Sequence, residues 1–158
     1  MITINIITVG SLKEKYWVQA CNEYKKRLSS FAKVNFIEVK ESYLHKNASQ
    51  TEVLQAKKQE ALDIRKKAKG FTISLEVKGK TLTSKQFANK LKQLPIQGVS
   101  EFSFIIGGSN GLDKEFSNSC NMQISFSSFT YAHQLMKVIL LEQIYRAMCI
   151  NNNKTYHK

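Results

Sequence analysis

The stretch Phe102-Ser103-Phe104-Ile105-Ile106-Gly107-Gly108-Ser109-Asn110-Gly111 constrains the fold more than any other. An apolar run of strand length stops at two glycines, and a third follows three residues later. Glycine reaches positive φ at little cost and lets a ligand approach the main chain closely. In an open α/β sheet, ligands bind beyond the carboxyl ends of the strands. Gly107 to Gly111 is therefore read as one wall of a ligand pocket.

The flanking sequence supplies a sheet for that turn. Ile2 to Val9 is β-branched and partly alternating, and predicts a buried first strand ending at Gly10. Val34 to Val39, Phe71 to Val77, Phe102 to Ile106 and Met122 to Phe126 predict four more. Between the first two, Leu12, Tyr16, Ala20, Tyr24 and Leu28 recur every fourth residue and make one helical stripe. Thr51 to Ala68 reads as a lysine-rich helix stopped by Gly70. Ser84 to Leu94 reads as a helix with Thr83 or Ser84 as its cap and Pro95 as its end. A short helical or irregular segment runs from the glycine turn to Cys120, and Tyr131 to Ile150 is a long last helix. Strands alternating with helices predict an α/β fold, with a mainly parallel sheet and helices on both faces. A chain of 158 residues with no repeat or linker predicts a single domain over 1–158.

Charge narrows the partners. The 24 Lys and Arg against 12 Asp and Glu leave a formal charge of +12, which points to a polyanion such as RNA or DNA. Cys21, Cys120 and Cys149 are odd in number and widely spaced, which argues against a disulfide framework and a zinc site. His45, His133 and His157 are too scattered for a metal cluster, so no metal is expected. The opening residues lack the basic region of a signal peptide, and no apolar run reaches the ~18 residues of a membrane span. The expectation is a cytoplasmic protein.

The last helix is unusual. At ~100° per residue, His133 and Lys137 mark one polar edge and Glu142 and Arg146 the opposite one, as an i,i+4 ion pair. Two apolar arcs lie between, one with Val138, Leu141, Tyr145 and Met148, the other with Met136, Ile139, Leu140, Ala147 and Ile150. A helix apolar on two sides needs two packing partners. One is the sheet; the other is a further element or a second subunit, and a homodimer is expected.

Several chemistries lack their parts. Gly-Gly-x-x-Gly is not the dinucleotide fingerprint, it follows the fourth strand rather than the first, and no acid lies ~20 residues on to bind a ribose. No Gly-Lys-Ser/Thr follows, so it is not a P-loop. No acid pair, Ser-His-Asp set or Cys-His pair stands at an informative spacing. What remains is the acid-free segment Ser125-Phe126-Ser127-Ser128-Phe129-Thr130-Tyr131. It offers main-chain groups, hydroxyls and aromatic faces to a neutral or cationic ligand with a flat base. Its plainer reading is a helix cap at Ser127, Ser128 or Thr130. The tail Asn151 to Lys158 ends in Tyr156, His157 and Lys158, suited to stacking on a base and meeting a phosphate; its plainer reading is a solvated basic tail.

Taken in order, these features resemble one family over nearly the whole chain: the strand and Gly-Gly-Ser-Asn-Gly turn, the Phe-Ser-x-x-Thr loop, His133-Gln134 opening a long helix with Tyr145-Arg146-Ala147, and the final Tyr-His-Lys. Val9-Gly10-Ser-Leu-Lys-Glu-Lys-Tyr16-Trp17 and Glu23-Tyr24-x-x-Arg27-Leu28 fit as well. The chain resembles the bacterial 23S rRNA pseudouridine N3-methyltransferases of the SPOUT class. The resemblance implies an α/β fold with a C-terminal trefoil knot, an exception to the rule of unknotted chains, and a homodimer. It implies S-adenosyl-L-methionine as methyl donor, held by Leu75, Gly107, Phe126, Ser127, Ser128, Phe129, Thr130 and Tyr131. It implies methyl transfer to N3 of a pseudouridine in 23S rRNA of the assembled ribosome. His133, Arg146, Tyr156 and His157 match positions linked to substrate binding or catalysis, with the tail of one subunit completing the pocket of the other. The proton leaving the imide nitrogen goes to His157, Tyr156 or His133, or these merely orient the base. Arg146 is assigned to phosphate or to the charge developing on the base.

The chain departs from the family pattern at Ala132 and Thr155, where proline is common, and at Lys137, where arginine is common. Lysine keeps the charge but loses the bidentate geometry. The competing reading is a basic ribosome- or RNA-binding module without catalysis. It needs no small-molecule pocket at Gly107 and Phe126 to Tyr131.

Overall fold

Apolar residues alternating with small polar ones make a strand that two layers of helices can cover, and β4 has that pattern. Phe102, Phe104 and Ile106 pack into one core and Ile105 into another, while Ser103 Oγ donates to the Lys69 carbonyl at 2.7 Å. The computed structural model describes all 158 residues, Met1–Lys158. In order, the elements are β1 (Ile2–Val9), α1 (Lys15–Leu28), β2 (Ala32–Val39), α2 (Gln50–Lys67) and β3 (Phe71–Thr81). Then come α3 (Ser84–Ile96), β4 (Glu101–Ile106), α4 (Lys114–Ser119), β5 (Met122–Ser125) and α5 (His133–Asn151). The strands form one sheet in the order β2-β1-β4-β3-β5, and every neighbouring pair is parallel. All five carboxyl ends therefore meet one edge, and the loops that follow them are gathered there.

The larger core lies between the sheet and α1, α3 and α5. It contains Ile4, Ile6, Phe102, Phe104, Leu140, Leu141 and Ile144. The smaller core, with Ile7, Val39, Ile64, Ile105 and Phe116, joins the other face to α2 and α4. The α/β reading with helices on both faces holds. Two helix starts are fixed by reciprocal caps: Ser49 with Glu52 on α2, and Thr83 with Gln86 on α3.

Four local expectations are corrected. Helix α3 runs through Pro95 to Ile96, because a proline in the last turn removes only one terminal hydrogen bond. Strand β3 extends past Val77 to Thr81. Leu75 and Lys80 both stand opposite Ile124, so residues 76–79 arch out of the ladder. Gly79 closes that arch: a Cβ there would lie 2.7 Å from the Ile124 carbonyl carbon. The hydroxyls of the 125–131 loop do not cap α5, whose N-cap is Ala132 with no side-chain bond. Instead, Ser127 Oγ accepts from the Phe129 amide at 3.0 Å and Ser125 Oγ donates to the Ser127 carbonyl at 3.1 Å, so the loop binds itself. Finally, Lys137 is no solvated edge. It is 2% exposed, because α1 and β2 pack over it, while α1 and α3 flank α5 and take up most of its second apolar arc. Leu135 and Ile139 stay half-exposed outside the core.

Candidate functional site

The turn after β4 folds back on itself. Gly108 and Gly111 form an isolated bridge, and the Gly111 amide donates to the Gly108 carbonyl at 3.0 Å. A Cβ on Gly107 would lie 2.8 Å from the Gly111 carbonyl carbon and 2.9 Å from the Leu112 nitrogen, so only glycine fits that leg. Glu41, from the loop after β2, ties the turn down. Its Oε1 accepts from the Ser109 amide at 3.1 Å and from Ser109 Oγ at 2.6 Å. The Ser109 hydroxyl bond, with the amide bond beside it, holds the Glu41 carboxyl below its ordinary range.

The anchored turn walls a cavity of about 180 Å³ at the carboxyl ends of β3, β4 and β5. Leu75, Gly107, Phe126, Ser127, Phe129, Thr130 and Tyr131 all line it, and His133 stands at its edge from the first turn of α5. Ser128 is exposed and is not among the lining residues. The spacing of motifs does not reveal Glu76 and Val77, carried in by the arch of β3, or Ile106, Leu112, Ile124 and Met136. Most of them are traceable in the sequence only as neighbours of strand ends, and Met136 enters from α5. The walls are mostly apolar, and Glu76 is the single carboxylate among them. On the far side of His133 an open groove of about 640 Å³ is lined by Lys13, Lys40 and Lys67, with Glu38 and Glu41.

Arg146, Tyr156 and His157 lie together, but not with His133. Arg146 lies thirteen steps along α5 from His133, about 20 Å on a straight helix. At that end Glu142 is the hub. It accepts from Arg146 Nε at 3.0 Å, also from Arg146 Nη2, and from Tyr156 Oη at 3.1 Å. The Tyr156 ring packs edge-on against Tyr145 at 4.8 Å between centroids and lies 4.7 Å from the guanidinium carbon. The tail is therefore packed at Tyr156, not a frayed end. Burial, then a bond to Tyr24 and the Glu142 charge, raises the Tyr156 phenol well above its ordinary value, so it stays protonated at neutral pH. Arg146 Nη1 faces His157 Nδ1 at 3.3 Å. A guanidinium only donates, so in this contact Nδ1 is the acceptor and Nε2 points away from it. The His133 ring has no such partner within the chain.

Among solved structures the chain is similar to a probable methylase family protein from Haemophilus influenzae Rd KW20. The identity is 12%, over 99% of this chain and 70% of that one, with a TM-score of 0.56. It is also similar to a probable methyltransferase from Bordetella pertussis Tohama I, at 10% identity over 92% of this chain and 95% of that one, with a TM-score of 0.59. At such identities these likenesses establish the fold. A family model described as "Predicted SPOUT methyltransferase" matches residues 2–157, and the chain, with its parallel sheet and glycine-walled cavity, belongs to the SPOUT methyltransferases.

Proposed function

We propose that the cavity binds S-adenosyl-L-methionine and that the protein methylates N3 of a pseudouridine in 23S rRNA of the assembled ribosome. The observation that carries the donor site is the cavity between the glycine turn and the 126–131 loop in a chain of this family. Its chemistry suits the donor. Leu75, Ile106, Ile124 and Phe126 offer apolar faces to a flat base, and Ser127 and Thr130 offer hydroxyls to a sugar. Glu76 is a lone counter-charge for a cationic ligand. When bound, the donor supplies an electrophilic methyl: the S–CH3 bond breaks with its electron pair left on sulfur, the N–CH3 bond forms, and the imide nitrogen gives up its proton. The turn and loop hold the reactants in line, which is worth up to ~7–11 kcal/mol when positioning is good. His133, at the cavity and free of partners, accepts the proton. Tyr156 is held as a donor, and the Nδ1 lone pair of His157 is already engaged.

The ~20 Å between His133 and Arg146 supports a composite site in a homodimer, because one rigid helix cannot bring its own ends together. Half-exposed Leu135 and Ile139 give α5 an apolar outer stripe for that contact. The net +12 charge and the groove with Lys13, Lys40 and Lys67 suit an RNA backbone. The trefoil knot and a cytoplasmic location belong to the same reading; no helix is long and apolar enough to cross a membrane.

Two experiments test this. Calorimetric titration with S-adenosyl-L-methionine should saturate for the wild type and fail for Thr130→Trp, which fills the cavity mouth from an exposed position. No binding by the folded wild type would favour the RNA-binding module instead. Mixed dimers then test the composite site, pairing one Thr130→Trp subunit with one Arg146→Ala subunit. A site built from both subunits regains ribosome methylation in the mixture. A site built within one subunit stays dead in both partners, and that result would remove the composite reading.

A further inference from the structure

Two polar groups of opposite character are stranded beneath the glycine turn. Lys137 is the only buried lysine or arginine, at 2% exposure. Its ammonium lies 4.0 Å from the centroid of the Phe36 ring, with Lys25 at 4.8 Å from the same ring. It makes no hydrogen bond and no ion pair within the chain. Gln134 Oε1 is the one fully enclosed side-chain nitrogen or oxygen without a hydrogen-bond partner. Both residues line one small pocket of about 10 Å³, together with Thr8, Ser11, Gly107 and His133.

A void of that size holds about one water molecule, provided that polar partners surround it. Water is also the ligand that can give a proton to a carbonyl while accepting one from an ammonium. We infer that a single internal water fills this pocket, accepting from Lys137 Nζ and donating to Gln134 Oε1. Buried polar groups in folded proteins almost always find such a partner. The groups that face Lys137 set its charge. Burial lowers its pKa, Lys25 of α1 adds to that, and Cys21 of α1 and Glu38 of β2 oppose it.

The water site gives Lys137 a positioning role. Ile106, Gly107 and His133 line both this pocket and the larger cavity. Gln134 follows His133 directly in the first turn of α5, and Lys137 is one turn further on. Bridging the two through a water pins that turn against Gly107 and fixes where the His133 imidazole stands. This consequence rests on reading the larger cavity as the methyl-donor site; the water itself does not.

The experiment has two arms. In protein labelled with ¹⁵N-lysine, the Lys137 ammonium should give a slowly exchanging resonance with an Overhauser contact to a long-lived water. Gln134→Leu should abolish that contact. An ammonium that exchanges like the surface lysines, with no bound water, would overturn the proposal whatever the enzyme does. In the second arm, Gln134→Leu and Lys137→Met should lower the methyl-transfer kcat about tenfold to a hundredfold, the usual scale for a misplaced group. Donor affinity should stay within about twofold, since neither side chain lines the larger cavity. Lys137→Arg, whose longer fork reaches across the pocket, should restore kcat. Wild-type kcat in all three variants would remove the positioning role. Failure of the wild type to bind the donor would instead count against the function proposed above.

Discussion

An alanine at Gly107 tests whether the turn is built for close approach. Its Cβ would stand 2.8 Å from the Gly111 carbonyl carbon and 2.9 Å from the Leu112 nitrogen. Both are main-chain atoms on the returning leg of the same turn, so no rotamer change relieves the clash and the turn must open. Overpacking of this kind costs about 1–3 kcal/mol. At ~2–4 °C per kcal/mol for a chain near this length, melting should fall by about 2–12 °C. Gly98→Ala is the matched control. It meets nothing within 4 Å but inherits a φ of +91°, a strain of about 1–2 kcal/mol in a loop remote from the cavity. Both variants should lose comparable stability in thermal melts. Only Gly107→Ala should also lose donor affinity in calorimetry, by about tenfold or more, equivalent to ~1.4 kcal/mol, because Gly107 and Gly108 move with the wall. A Gly107→Ala protein that melts with the wild type, or that is destabilised yet binds the donor normally, would refute the reasoning.

Three other substitutions probe the rest of the molecule. Glu142→Gln keeps the shape of the hub but removes the charge that Arg146 and Tyr156 share; urea denaturation should show a loss of about 1–3 kcal/mol, and the Tyr156 fluorescence environment should change. Lys137→Met should raise stability at neutral pH even as it slows catalysis. A lysine whose folded pKa lies below its unfolded value of 10.5 holds its proton more tightly when unfolded, so wild-type stability rises with pH between those two values. The methionine variant should lose that rise, which denaturation at pH 7 and pH 10 would measure. Ile144→Ala, at a fully buried position facing the larger core, should cost about 2–5 kcal/mol in the same assay.

The layered sheet was legible because its rules are local. Alternation in Phe102 to Ile106 sends side chains to two faces. The helical stripe of Leu12 to Leu28 names α1, although the helix itself starts at Lys15. The Glu142–Arg146 pair followed from i,i+4 geometry alone. The lining of the cavity was legible at Gly107 and along the 126–131 loop, Ser128 excepted. What could not be read depends on elements distant in sequence. Lys137 sits on a polar edge by helical arithmetic, but only the packing of α1 and β2 against α5 buries it. The arch at residues 76–79 exists because Leu75 and Lys80 share one partner in β5, 44 or more residues further along the chain. Register of that kind leaves no mark in either strand taken alone. Glu76 reaches the cavity through that arch, and so does its charge.

The hydrogen bonds of the tail give it a direction of action. Glu142 draws Arg146 and Tyr156 into one cluster, and Arg146 in turn orients His157. Each of these groups has already lost its rotamer freedom before any substrate arrives, so a second molecule that meets them is spared that ordering cost. Nothing within the chain takes the remaining His157 Nε2–H, and the cluster leaves it as a donor. His133 shows the complementary state: a ring with no partner, beside a cavity that holds one carboxylate. On the composite-site proposal, the prepared donors at one end of α5 and the unpartnered ring at the other, about 20 Å apart on a rigid helix, are halves that no single copy brings together. Two copies that set one helix start against the other's helix end would join the halves without moving either.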